Sequence, residues 1–288
     1  MKLNYYTINA FAKNEIGGNP AGIVFDAENL SNQERQNIAK YIGFSETAFV
    51  SNSEEADFEV AFFTPNAEVD LCGHATIGLF NALFLLRKIK PGNYTLKTKA
   101  GILKIKIEKN GCVMMEQQKP TFYEVIEPKE VIESLGIELK DLNTDYPCQI
   151  VSTGLKDILI PIRNKEILNS IKPDFEKIKE ISKTHNVVGF HLFALNDNDE
   201  SITAHCRNFA PLYEIDEESA TGTSNGALAC YLWKYKINKN SNNMIFEQGE
   251  AMNKPSLISV NLYLSNNQID EVQVGGTASN LQSLEVQL

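Results

Sequence analysis

Two apolar segments, each placed directly behind a glycine turn, set the strongest limit on how this chain can fold. The first, IGLFNALFLL (77–86), follows the turn CGHAT (72–76), and the second, ALACYLW (227–233), follows TGTSNG (221–226). Helices at a protein surface carry one apolar stripe, whereas these segments are apolar nearly all round. A short helix without a polar face must be enclosed on every side. Each segment therefore predicts a helix threaded through the middle of a curved sheet.

Short strands bounded by turns dominate the rest of the sequence. In LKIKI (103–107) apolar residues alternate with lysines, the period-two pattern of a strand with one polar face. The Asn-Gly pair at 110–111 predicts a hairpin turn into 112–117, because both residues tolerate a positive φ. A surface helix is predicted over 32–42, where a capping-box pattern begins at Ser31 and a glycine follows the last turn.

The order of elements in the first half of the chain recurs from residue 145 onward. In each half a strand leads to a helix, then to two strands, a glycine turn, an apolar helix and three further strand-like segments. The paired segments are AGIVFDA with LKDILIPIRN, ETAFV with GFHLFAL, DFEVAFFTP with ITAHCRNFAP, TLKTKAG with MIFEQG, ILKIKIEKN with SLISVNLYL, and CVMMEQ with EVQVGG. Few residues are shared, so this is a repeat of pattern. Such a repeat, when present, decides the architecture.

Charge and apolar content exclude two classes of partner. The chain has 288 residues, a net charge of −10 and a pI near 5.0. Proteins that bind a phosphate backbone need a basic surface, so nucleic acid is not an expected partner. The longest apolar segment, 75–86, is shorter than the roughly 20 residues that cross a bilayer. The N-terminal residues contain no apolar stretch of signal-peptide length, so no signal peptide is expected. We therefore expect no membrane association and a cytoplasmic location.

The cysteines and histidines argue against a disulfide framework or a metal centre. Five cysteines are widely spaced without a CxxC pattern, and four histidines show neither HxxxH nor HExxH spacing. We expect reduced thiols and no metal.

The two glycine turns are the best candidates for a functional site. The first N–H groups of a helix have no intrahelical partner, and the helix dipole adds partial positive charge there. A glycine lets a ligand approach the backbone closely, so such a turn suits a substrate carboxylate. Polar residues stand beside both turns, with Asp70 and His74 at the first and Asp216, Glu217 and Glu218 at the second. Carboxylates near a helix start are also ordinary caps, so their charge alone does not assign a role.

These segments resemble the phenazine-biosynthesis (PhzF-like) isomerase family, which has the diaminopimelate-epimerase fold. The similar stretches occur in the family's order and span nearly the whole chain. They are GNPA (18–21), SETAF (45–49), CGHAT (72–76) and ATGT (220–223), followed by the weaker EQG (247–249), KPS (254–256) and VGG (274–276). Each stretch alone is a weak motif, whereas the ordered set is specific.

The resemblance implies an α+β fold of two similar lobes related by a pseudo-two-fold axis. Each lobe would be a β-barrel-like sheet wrapped around a central apolar helix. The expected lobes are residues 1–117 with about 280–288, and residues 118–279, with the active site in the cleft between them. The family also implies a homodimer and a small carboxylate-bearing substrate, with no cofactor.

The same resemblance assigns the site residues. Glu46 is the expected general acid/base, which removes a proton from carbon and returns one elsewhere, and His74 assists it. The backbone around Gly73 and Gly222 is expected to hold the substrate. The remaining candidates are Glu218 as a catalytic residue and Asn19, Cys72 and Thr223 as substrate-binding residues.

One stretch departs from the family pattern. The family usually reads Glu-Asp-Pro-Ala-Thr-Gly-Ser, whereas this chain reads EESATGT (217–223). Glu218 is one methylene longer than the usual Asp, and Ser219 lacks the rigidity of proline. Thr223 keeps the hydroxyl of the usual Ser but adds a methyl group that narrows the pocket. The substrate can therefore differ from the family's dihydro-hydroxyanthranilate.

Two other functions remain open on the sequence alone. An amino-acid epimerase or racemase of the same fold places a cysteine before each glycine turn. Here Cys72 occupies the first position but Thr221 the second, so we interpret Cys72 as a packing residue at the cleft. A non-catalytic ligand-binding protein could also keep this fold, although binding alone does not need the combination of Glu46 and His74.

Overall fold

The computed structural model describes residues 2–196, 201–237 and 241–287. Contacts within the chain divide it into two compact units. The first unit comprises the residues up to Glu116 together with the segment from Gly275 onward, and the second runs from Gln117 to Val274.

The first unit combines a sheet with two α-helices. Its elements are β1 (Lys2–Ala10), β2 (Asn19–Val24), α1 (Asn32–Ile42), β3 (Thr47–Ser51), β4 (Phe58–Phe63), β5 (Glu68–Val69), α2 (Gly73–Leu85), β6 (Gly92–Thr98), β7 (Gly101–Ile107), β8 (Val113–Gln117) and, at the end of the chain, β18 (Ala278–Gln287).

The second unit has the same kind of composition with additional short helices. Its elements are β9 (Thr121–Ile126), α3 (Pro128–Leu135), β10 (Cys148–Ser152), β11 (Lys156–Ile162), α4 (Lys165–Ser170), α5 (Phe175–His185), β12 (Gly189–Leu195), β13 (Ala204–Ala210), β14 (Ile215–Glu218), α6 (Gly222–Lys234), β15 (Asn243–Gln248), β16 (Ser256–Ser265) and β17 (Gln268–Gly276). Short 3-10 turns lie at Ala27–Asn29, Leu139–Asp141, Pro211–Tyr213 and Glu250–Met252.

Strand pairing confirms the predicted repeat. In the first unit β1 and β2 are antiparallel, β2 and β3 parallel, and β3 and β4 antiparallel. Strand β4 then pairs antiparallel with β5 and parallel with β6, which pairs antiparallel with β7. The second unit repeats this order and these directions with β10 to β16. Each half of the sequence thus forms one copy of the same topology.

Local sequence signals explain where elements start and turn. Ser31 caps α1 by accepting the Glu34 N–H through its hydroxyl, and the Glu34 carboxylate accepts the Ser31 N–H in return. Gly43 ends this helix with a φ of 74°. The predicted hairpin also forms, since β7 and β8 pair antiparallel and Gly111 adopts a φ of 86° in the turn.

The two apolar helices are enclosed as their composition predicts. Every residue of α2 from His74 to Leu83 is buried, and every residue of α6 from Ser224 to Leu232. Helix α2 packs against β1, β2, β3 and β18, and α6 against β10, β11 and β16. Gly226 permits the close approach of α6 to its sheet, because a Cβ there would lie 2.9 Å from the Val274 side chain. The sheet of each unit therefore wraps its own central helix.

The cysteines occupy the cores of the units. All five lie within the described residues, are buried and form no disulfide there. Burial raises the pKa of Cys112 to about 11 and the pKa of Cys148 and Cys230 to about 12, so these three thiols stay protonated. Across the residues that the structure describes, no helix has both the length and the apolar content to cross a membrane.

Candidate active site

Glu46 lies where the chain enters β3. Its backbone carbonyl accepts the Gly22 N–H at 3.1 Å, which fixes the start of the parallel pairing between β2 and β3. The side chain is only 17% exposed, and its Oε2 atom lies 3.4 Å from Nε2 of His74. A carboxylate that is mostly shielded from water and beside an imidazole can exchange protons with a bound ligand.

His74 is the second residue of α2, and both of its ring nitrogens lie close to polar groups of neighbouring side chains. Nε2 faces Glu46 and lies 3.5 Å from the Ser45 hydroxyl, while Nδ1 lies 3.3 Å from the Cys72 thiol. Burial lowers the pKa of His74, and the nearby Glu46 carboxylate only partly opposes this. The imidazole is therefore neutral near pH 7.

The helices α2 and α6 begin in an unusual way. Neither Cys72 before α2 nor Thr221 before α6 caps its helix with a side-chain hydrogen bond, and neither first turn contains an acidic residue. The surface helices α1 and α5 differ, since Ser31 and Asp174 cap them. Within the described residues, both central helices thus begin without a hydrogen bond from the N-cap side chain and without an acidic residue in the first turn, so their first backbone N–H groups suit an anion.

Glu218 stands at the start of α6 within a hydrogen-bonded group. Its Oε2 atom accepts the Thr221 hydroxyl at 2.7 Å. The Gln248 side-chain amide donates to the Glu218 carbonyl at 2.7 Å and to the Thr221 hydroxyl at 3.0 Å. These contacts hold the Glu218 carboxylate beside the glycine turn.

The neighbouring carboxylates serve other purposes. Both carboxylate oxygens of Glu217 accept hydrogen bonds from the Arg207 guanidinium, each at 2.8 Å. Arg207 also donates to two backbone carbonyls, so this pair ties β13 and β14 to the α4 region. Asp216 is exposed. Of the three acidic residues before the second turn, only Glu218 contacts it through Thr221.

The structure groups the sequence-predicted residues by unit. In the first unit Glu46, Cys72 and His74 meet at the start of α2, beside Gly73. Asn19 is buried as the first residue of β2, and the next residue, Pro20, offers its carbonyl to His74. In the second unit Glu218, Gly222 and Thr223 meet at the start of α6.

Sequence reasoning missed a buried polar network behind the second glycine turn. Asp157 in β11 contacts Ser224 of α6, and Asn208 of β13 links Ser224 to His191 of β12. The available signal was the aspartate inside the apolar strand LKDILIPI. An aspartate is uncommon in a core unless its carboxyl group has hydrogen-bond partners.

Two groups of side chains have the composition of metal ligands. Glu46, Cys72 and His74 form one group, and His205, Glu247 and Glu250 form the other; in each, the ligand atoms lie within 4.8 Å of one another. In the first group both ring nitrogens of His74 already face protein partners. In the second, Lys165 lies 2.7 Å from the Glu250 carboxylate and supplies positive charge. The expectation of no metal stays a prediction.

Comparison with known proteins identifies the family. The sequence model of the family described as "Phenazine biosynthesis-like protein" matches residues 8–283. An uncharacterized isomerase of Clostridium acetobutylicum is 36% identical, with 96% of this chain and 95% of the relative covered. The crystal structure of a PhzF family protein of Bacillus anthracis is 32% identical, superposes with a TM-score of 0.91 and is covered in full. The chain belongs to this phenazine biosynthesis-like (PhzF) family of isomerases, as its motifs predicted.

More distant relatives include proteins that share this fold. A trans-2,3-dihydro-3-hydroxyanthranilate isomerase of Pseudomonas chlororaphis is 28% identical, with 95% of each chain covered. A hydroxyproline epimerase of Agrobacterium vitis, 12% identical, superposes with a TM-score of 0.63 over 99% of this chain and 92% of its own. The epimerase-like α+β fold predicted from the sequence is confirmed.

Proposed function

We propose that this protein is a cofactor-independent isomerase that shifts a proton on a small carboxylate-bearing substrate, with Glu46 as the general acid/base. The observation that carries the proposal is the partly buried contact of 3.4 Å between Glu46 and the neutral His74 at the start of α2. Proton abstraction from carbon needs a positioned base and an environment that excludes water. The low exposure of Glu46 and its contact with His74 support its assignment as that base.

The internal repeat supports one base rather than two. Gly22 pairs with Thr47 in the first unit as Ile158 pairs with Phe190 in the second. The residue before each partner is Glu46 in the first unit and Gly189 in the second. A two-base exchange requires an acid/base in each half, and glycine has no side chain to act as one.

The residues at the two glycine turns also favour a single base. When Gly73 is matched with Gly222, His74 corresponds to Thr223 and Cys72 to Thr221. Threonine hydroxyls are too weakly acidic to return a proton to carbon. A single carboxylate that removes a proton and returns it elsewhere accounts for this asymmetry better than the racemase reaction.

We assign the remaining candidates to substrate binding and proton handling. The first turns of α2 and α6, with Gly73, Gly222 and Thr223, bind anionic groups through backbone N–H groups. His74 carries a proton on Nε2, which faces Glu46, and its Nδ1 accepts a hydrogen bond from the Cys72 thiol. These two contacts keep the ring in one tautomer. Glu218 presents a carboxylate to a polar group of the substrate, and Asn19 contributes a buried amide.

The first substrate to test is trans-2,3-dihydro-3-hydroxyanthranilate, which the name of the Pseudomonas relative supplies. A panel of cyclic amino acids and hydroxy acids would be incubated with the protein in D2O, and carbon-bound deuterium followed by NMR. We expect incorporation by wild type and none by Glu46→Gln. Equal incorporation by both proteins would refute the role of Glu46. Binding without incorporation for every compound would favour a non-catalytic ligand-binding protein. A homodimer, implied by the family resemblance, stays a prediction that sedimentation equilibrium would test.

A further inference from the structure

A fully buried carboxyl group lies directly behind the second glycine turn. Asp157 is 2% exposed, and its Oδ2 atom accepts the Ser224 hydroxyl at 2.5 Å. The Asn208 side-chain amide donates to the same hydroxyl oxygen at 3.3 Å and lies 3.2 Å from Nδ1 of His191. All four side chains are buried. This Asp157 network belongs entirely to the second unit.

The internal repeat provides a natural comparison for this network. Strand registers match Asp157 with Ala21 and Asn208 with Phe62, while helix positions match Ser224 with Ala75. The first unit thus forms the same strand pairing and the same enclosed helix with apolar residues at all three positions. The topology itself does not require the Asp157 network.

Keeping a carboxyl group in this place has an energetic cost. Burial raises the pKa of Asp157 to about 6, and the hydrogen bond from Ser224 only limits the rise. Above that pH the ionised group is held in a poorly solvated position, which destabilises the folded state. The first unit forms the same fold without this destabilising carboxyl group. Its presence in the second unit therefore indicates a role at the site rather than in the architecture.

The contacts of the network show which part of the site it acts on. Ser224 is the third residue of α6, directly after Gly222 and Thr223. On the same turn the Thr153 hydroxyl donates to the Thr223 carbonyl at 3.0 Å. The first turn of α6 is therefore anchored from the core by Asp157 through Ser224 and by Thr153. No side-chain cap from Thr221 fixes it from the other side.

We propose that Asp157 is a positioning residue that acts through Ser224 to hold the first turn of α6 in the geometry that binds a substrate carboxylate. The backbone N–H groups of Gly222 and Thr223 make the contact with the ligand, and Asp157 itself does not touch it. This inference rests on the proposed function for the chemistry of the ligand. It adds a residue outside the glycine turn that determines carboxylate affinity.

The test uses anthranilate, an aromatic carboxylate that offers no proton shift to catalyse. Its dissociation constant would be measured by 15N–1H NMR on the full-length protein, with the amides of Gly222 and Thr223 as reporters. We expect Ser224→Ala and Asp157→Ala each to weaken binding about tenfold, as expected for one lost positioning hydrogen bond. Asp157→Asn keeps an oxygen for the Ser224 hydroxyl and should stay within about threefold of wild type. Ser182→Ala, which removes a buried hydroxyl from α5, is the matched control and should not change affinity.

Each outcome decides the proposal. Unchanged affinity for anthranilate in both Ser224→Ala and Asp157→Ala would overturn the proposal. It would also be overturned if anthranilate did not shift the amide signals of Gly222 and Thr223 in the wild-type protein. Should Asp157→Ala fail to fold, Ser224→Ala decides alone, because it removes only one oxygen atom. Anthranilate binding that is intact in a protein unable to exchange carbon-bound hydrogen would refute the proposed function while leaving the role of Asp157 standing. In an active enzyme, the positioning variants should raise KM and leave kcat within about threefold.

Discussion

The imidazole of His74 lies between two side chains, with Nε2 3.4 Å from the Glu46 carboxylate and Nδ1 3.3 Å from the Cys72 thiol. A buried, neutral imidazole in this position can donate to the carboxylate on one side and accept on the other. The three residues come from two segments, SETAF and CGHAT, and β4 and β5 lie between these segments in the sequence. The fold of the first unit brings them together.

The first prediction concerns His74. Because its pKa is lowered by burial, the neutral ring should persist until the pH falls below the ordinary histidine value of about 6.5. His74→Asn keeps a donor toward Glu46 but cannot shuttle a proton, so we expect turnover to fall about 100-fold. Steady-state kinetics would measure this loss. His185→Asn is the control, since His185 makes a similar contact with Glu130 at 3.2 Å in the second unit; an equal loss there would contradict the assignment.

A second prediction separates the adjacent carboxylates Glu217 and Glu218. Glu217→Gln leaves the buried Arg207 guanidinium with a neutral partner, so the free energy of unfolding should fall by about 2 kcal/mol. Glu218→Gln keeps a hydrogen-bond acceptor for Thr221 and should change stability little, while turnover falls about tenfold. Urea unfolding and kinetics on both variants would test this. The reverse pattern would show that Glu218 is structural.

A third prediction addresses the Cys72 thiol. Cys72→Ser keeps a small donor beside Nδ1 of His74, so an isomerase that depends on Glu46 should retain its turnover within about threefold. A racemase that uses Cys72 as a base would lose most of its activity, because a serine hydroxyl is far less acidic than a thiol. The measurement is the rate of α-hydrogen exchange by wild type and variant. Complete loss would reopen the racemase alternative.

A fourth prediction follows from the raised pKa of Asp157. The folded state holds this proton more tightly than the unfolded state, in which the pKa is about 3.8. The contribution of the protonated group to the free energy of unfolding is therefore fully present at low pH, and it is lost as the pH rises through about 6. Relative to wild type, Asp157→Asn should gain up to about 3 kcal/mol in the free energy of unfolding between pH 4 and pH 8.

Urea unfolding across that pH range would measure the difference. The exposed Asp145 provides the control, since Asp145→Asn should show no comparable gain. A constant difference between Asp157→Asn and wild type at all pH values would mean that Asp157 does not titrate in this range.

Much of the architecture could be predicted from the sequence because its signals are local. The capping box at Ser31, the turn at Gly111 and the alternation of β7 each depend on a few neighbouring residues. The two apolar helices were predictable for a different reason, since a helix without a polar face has to be enclosed.

The candidate site was predictable only in part. Glu46 was identified through the SETAF motif and not by its spacing, because a glutamate at a strand entrance is usually a solvated residue. The contacts of Asp157 and Asn208 with Ser224 join three segments that are distant in sequence. No local pattern indicates which strands will be neighbours, so such a network appears only once the strand order is known.

The most direct test of the central claim is the fate of the proton that Glu46 removes. A substrate deuterated at the reacting carbon, beginning with trans-2,3-dihydro-3-hydroxyanthranilate, would be converted in H2O and the product analysed by NMR and mass spectrometry. A single carboxylate shielded from solvent should deliver part of the label to a different carbon of the same molecule, and Glu46→Gln should deliver none. Turnover by Glu46→Gln at the wild-type rate, with all of the label lost to water, would contradict the account.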